Sequence, residues 1–80
     1  MKDCPWERID GFQSPGEVKR FLNWISEQVA TGQAREVPVE SPYLGQNTME
    51  EKWFVHLDSG QVWRLILPDP PSKGTFEPVV

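Results

Sequence analysis

Apolar residues recur along this chain in two rhythms, one helical and one alternating. Val18, Phe21, Leu22, Ile25 and Val29 fall at helical spacing, with Lys19, Arg20, Asn23, Ser26 and Glu27 on the other face. Trp24 lies at the edge of this stripe. Ser14-Pro15-Gly16-Glu17 supplies the start: Ser14 can accept from an orphan backbone N–H, Pro15 sits where a missing N–H costs nothing, and Glu17 stands at the capping-box spacing. The helix is expected to stop near Thr31, with Gly32 as a left-handed cap.

From Glu50 to Leu67 the pattern reads as two strands flanking Asp58-Ser59-Gly60. A short loop with glycine in the left-handed position suits a type I turn with a bulge. That loop predicts a register with Leu57 opposite Gln61, Val55 opposite Trp63 and Trp53 opposite Leu65. One face then carries Trp53, Val55, Leu57, Trp63 and Leu65, and should receive the helix. The opposite face carries Phe54, His56, Val62, Arg64 and Ile66, a mixture of apolar and polar groups.

The rest of the chain is less regular. Met1 to Gln13 is an irregular lead-in whose Trp6, Ile9 and Phe12 are expected to fold back onto the core. Arg35 to Glu40 reads as a strand, placed at a sheet edge because Pro38 removes a ladder donor. Ser41 to Thr48 reads as a loop. Pro68-Asp69-Pro70-Pro71 stops the second hairpin strand, Lys73-Gly74 is a turn, and Phe76 to Val80 reads as a short last strand. The pattern leaves open whether that strand pairs with the hairpin or with the edge near Val37. The expected architecture is α+β: one N-terminal helix on a three- to four-stranded, mainly antiparallel sheet with a central hairpin.

Eighty residues fit one domain spanning 1–80. A chain of this size buries only about 60% of the surface its unfolded form exposes. Its core must therefore rely on large side chains, and four Trp, four Phe and one Tyr supply them. The single cysteine, Cys4, excludes an internal disulfide and fits a reducing, cytoplasmic setting. No apolar run is long enough for a membrane span or a secretion signal. The net charge of -4 lacks the basic surface that backbone binding to nucleic acid requires, and leaves a basic protein partner open.

Candidate chemistry is sparse. His56, Asp58 and Arg64 form the one plausible cluster, with His56 as a base and Arg64 as an anion clamp. No second base or nucleophile stands at a fixed spacing from them. Arg64 stacked on Phe54 across the hairpin is ordinary sheet chemistry. Cys4 has no neighbouring base or helix start to activate it. No spacing of His, Cys or carboxylates forms a zinc or calcium motif, and no glycine-rich phosphate loop is present. Neither cofactor nor metal is therefore expected. Trp53, Trp63 and Arg64 are a candidate set for base stacking, but the expected register turns both tryptophans toward the helix.

The stretches Glu51-Lys52-Trp53-Phe54, Ser59-Gly60-Gln61-Val62-Trp63-Arg64-Leu65 and Pro68-Asp69-Pro70-Pro71, with Gly74, resemble small acidic, largely uncharacterised bacterial proteins. Some such proteins act as immunity proteins that neutralise a toxin. The resemblance covers roughly the C-terminal third and includes no motif with a chemical role, so it implies a bacterial cytosolic binding protein and assigns no residue a function. The expectation from the sequence is a non-enzymatic protein-interaction module, of inhibitor or immunity type. Its expected interface is Phe54, His56, Val62, Arg64 and Ile66, flanked by Trp24 and Tyr43-Leu44. The alternatives are a small-ligand or minor catalytic site on His56 and Arg64, and a homodimer contact through the mixed face or the edge strand.

Overall fold

The computed structural model describes residues 4–40, 50–68 and 73–79. One helix, α1 (Pro15–Ala30), precedes four strands: β1 (Ala34–Val37), β2 (Glu51–His56), β3 (Gln61–Ile66) and β4 (Thr75–Pro78). The strands form one antiparallel sheet in the order β1-β2-β3-β4, with the helix on one face. The last strand therefore extends the hairpin, and β1 is the edge. The expected loop at 41–48, the Tyr43-Leu44 flank and most of the Pro68–Pro71 stop lie outside the described residues.

The helix begins as its sequence dictates. Ser14 is extended, and its hydroxyl oxygen accepts from the Glu17 N–H at 3.2 Å, while Pro15 occupies the first turn. At the other end Thr31 donates its hydroxyl to the Glu27 carbonyl at 2.8 Å, and Gly32 follows with φ of 80°. Phe21 and Ile25 are buried, and Val18, Leu22 and Trp24 pack partly buried against the same cluster. Val29, expected on the stripe, is 39% exposed.

The N-terminal segment closes the opposite edge of the sheet. Ile9 and Phe76 exchange both main-chain hydrogen bonds, at 2.8 and 2.9 Å, and the Phe12 N–H reaches the Lys73 carbonyl at 2.9 Å. This bridge covers the outer edge of β4, which would otherwise offer unpaired groups to another chain. It also carries Trp6 and Phe12 into the core beside Phe21, Trp63, Leu65 and Phe76, as the sequence pattern predicts. At the other edge β1 is short and ends at Val37, so Pro38 lies just past the strand rather than within it.

The hairpin register differs from the expectation by one residue. Phe54 lies opposite Trp63, Val55 opposite Val62 and His56 opposite Gln61, so Leu57 to Gly60 all belong to the turn. A one-residue slip turns every side chain of a strand to the other face. Trp63 and Leu65 face the helix as expected, but on β2 it is Phe54 and His56 that join them. Trp53 and Val55 face the other way, and Leu57 is 45% exposed.

Two local interactions explain the longer turn. The Leu57 N–H is drawn sideways to the Gln33 carbonyl at 3.0 Å, extending the β1–β2 ladder instead of closing the hairpin. Ser59 caps the turn from inside. Its N–H points at His56 Nδ1 at 3.3 Å, its hydroxyl lies 2.8 Å from the same nitrogen, and it accepts from the Gln61 N–H at 3.2 Å.

Candidate functional site

The five residues expected to share one surface are divided between two. Phe54 and His56 point into the helix-facing core, whereas Val62, Arg64 and Ile66 lie on the far side of the sheet. None of the five is exposed, and Ile66 is only 1% accessible. The physical reason is again the register: alternation fixes the face of each residue, and β2 is slipped by one relative to the expected pairing.

The expected His56–Asp58–Arg64 cluster does not assemble. His56 is 5% exposed, and its ring packs edge-on against Trp6 at a centroid separation of 5.0 Å. With the Ser59 N–H directed at it, Nδ1 is the acceptor and the ring proton belongs on Nε2. Asp58 is exposed in the turn. Arg64 faces away from His56 across the sheet and pairs with Glu77, its partner on β4, at 3.5 Å. A single small ligand cannot meet His56 and Arg64 together.

The tryptophans are likewise separated. Trp63 stacks on Phe76 at 4.8 Å in the core and donates its indole N–H to Gln61 at 3.0 Å. Trp53 lies on the far face, donates to Glu51 at 2.7 Å and is 6% exposed. Residues two apart on a strand share a face, which is why each indole finds its partner at that spacing. Neither ring stands out as a stacking platform. Cys4 is half-buried against the core cluster. Among the described residues no three His, Cys, Asp or Glu side chains converge as metal ligands.

A concave site does exist, in a place the periodicity did not mark. The segment from Pro5 to Ile9 runs past the helix and leaves a groove of about 480 Å³ between them. Phe21, Trp24 and Gln28 line it from α1, three positions at helical spacing on one face. Phe76 lines it from the sheet. Its aromatic walls are mutually braced: Trp6 meets Trp24 at 5.6 Å and 73°, and Trp24 meets Phe76 at 6.3 Å and 85°. Such edge-to-face contacts hold the rings in fixed orientations.

The polar rim is formed by Glu7, Arg8 and Gln28. Arg8 is already engaged, with Asp10 at 3.4 Å and Glu77 at 3.5 Å. The Glu7 carboxylate and the Gln28 side-chain amide have no hydrogen-bond or ion-pair partner among the described residues. Between Trp6 and Arg8 no main-chain N–H or carbonyl is paired among the described residues either; the ladder to β4 begins only at Ile9. The sequence held a partial signal for this site in Trp24, placed at the edge of the apolar stripe, and in Trp6, an aromatic outside any regular element.

Comparison of the chain with protein-family models, with curated proteins and with solved structures finds no match in any of the three. Among the described residues, no helix is long and apolar enough to cross a membrane.

Proposed function

We propose that this chain is a non-enzymatic protein-interaction module, of the inhibitor or immunity type that the resemblance of its C-terminal third implies, working in the cytoplasm of a bacterium. The observation that carries the reading is the groove between Pro5–Ile9 and α1, with braced aromatic walls and, among the described residues, an unpaired carboxylate, side-chain amide and stretch of main chain along one side. Aromatic anchors in a braced concave surface are where interfaces concentrate their binding energy. Among the described residues the groove lining holds no nucleophile beside a base, and His56, at the end of β2, is not part of that lining.

A foreign partner is favoured over a second copy at the β1 edge. Two β1 strands related by a two-fold axis must place residues of the same sheet face opposite one another. In the registers centred on the strand, Arg35 then meets Arg35 or Glu36 meets Glu36, and like charges directly opposite are destabilising.

The test is a tagged pull-down from lysate of the source organism, run beside Gln28→Arg. That side chain lines the groove, whereas its backbone carbonyl, which helps to end the helix, is left in place. The expected outcome is one stoichiometric protein recovered with the parent and lost with the variant. Equal recovery with both would move the interface elsewhere on the molecule. Recovery of nothing at low and moderate salt would defeat the interaction reading. Arg64→Glu is a poorer probe, because it would set a second carboxylate against Glu77 and strain the sheet itself.

A further inference from the structure

We infer that the occupant of this groove is an extended peptide segment of a partner protein that inserts an arginine side chain. The inference rests on the interaction reading above and adds the chemistry of the partner.

Four observations converge on it. The charge left unneutralised at the groove is negative, since Arg8 is held by Asp10 and Glu77 while Glu7 is unpaired among the described residues. The walls include the half-buried Trp24, and tryptophan is the aromatic side chain that best receives a cation. The volume, about 480 Å³, is of the size that takes a whole small ligand rather than a single methyl or ring, so a side chain can enter with its flanking backbone. Among the described residues the N–H and carbonyl groups from Trp6 to Arg8 are unpaired, and extended peptides bind by pairing with main chain in that state.

Arginine fits these groups better than lysine. Its aliphatic stem can lie along Trp24 and Phe21, its planar head can stack on an indole, and its fork of donors can reach the Glu7 carboxylate and the Gln28 amide oxygen together. A small anion is disfavoured, because the one cation on the rim among the described residues already pairs with two carboxylates. The net charge of -4 would attract a basic partner over longer range.

The test uses the full chain and an acetylated, amidated hexapeptide with one central arginine flanked by leucines. Its control carries citrulline, which keeps the shape and loses the charge. Binding is read from the indole N–H resonances of Trp6 and Trp24. The arginine peptide should shift both and saturate, and citrulline or Glu7→Gln should each weaken it about five-fold or more. Glu36→Gln, an exposed carboxylate on β1, should leave affinity unchanged.

Equal binding of the arginine and citrulline peptides would overturn the proposal and leave a plain apolar groove. So would insensitivity to Glu7→Gln, or the absence of any shift at millimolar peptide. A native partner lost on Gln28→Arg but bound normally by Glu7→Gln would refute the cationic occupant while keeping the interaction module. Failure of both the peptide and the pull-down would remove both readings.

Discussion

At the scale of single residues, two glycines with nearly the same backbone conformation have different environments. Gly60 and Gly74 have φ of 74° and 76°, a region that costs other residues about 1–2 kcal/mol. A Cβ at Gly60 would meet nothing within 4 Å. One at Gly74 would lie 2.5 Å from the Ile66 carbonyl oxygen and 3.1 Å from the Phe12 ring. Gly74→Ala should therefore add an overpacking cost of about 1–3 kcal/mol to the conformational one. Urea denaturation of the two alanine variants checks this: Gly74→Ala should unfold at clearly lower urea than Gly60→Ala, and equal midpoints would mean that the chain near Phe12 yields freely. Turn propensity at Lys73-Gly74 was visible in the sequence. The close approach of Ile66 was not, because it joins residues that meet only once β3 and β4 have paired.

Among the elements, α1 was legible almost to the residue, since its cap, its proline and its apolar stripe are local signals that agree. The β2–β3 hairpin was legible as a hairpin but not in register. β2 is apolar on both faces, with Trp53 and Val55 on one and Phe54 on the other, so alternation could not decide which face meets the helix. The turn decided it, through Ser59 and the sideways bond from Leu57 to Gln33. The two registers make opposite predictions. Phe54→Ala should cost about 3–5 kcal/mol as a buried aromatic cut to a methyl. Leu57→Ala, on an exposed turn, should stay within about 0.5 kcal/mol of the parent. Thermal melts of the pair would reveal a misassigned register by reversing that order.

For the whole molecule, the N-terminal segment ties the fold together. Trp6 touches Trp24 of the helix, His56 and Trp63 of the central strands and Phe76 of the last strand, all at ring separations of 5.0 to 5.8 Å. Trp6→Ala should cost about 3–5 kcal/mol, a large part of the roughly 5–15 kcal/mol that holds an ordinary domain folded. Equilibrium unfolding in urea should show a lower midpoint with an unchanged slope. A midpoint equal to the parent's would mean that the segment only rests on the domain. The same segment forms one wall of the groove, so the proposed site depends on a stretch of chain without regular secondary structure of its own.

The sequence by itself determined the class of fold, the helix with both its ends, the hairpin and the reliance of a small core on large rings. These follow from local stereochemistry and from periodicity, which act over a few residues. Only the tertiary structure decided which face of β2 is buried, that the last strand pairs with the hairpin, and that Trp6, Glu7 and Gln28 come to border one groove. Those outcomes depend on contacts between residues far apart in the chain. Where two faces of a strand are nearly equal in apolarity, alternation alone does not choose between them, and the contacts around the turn do.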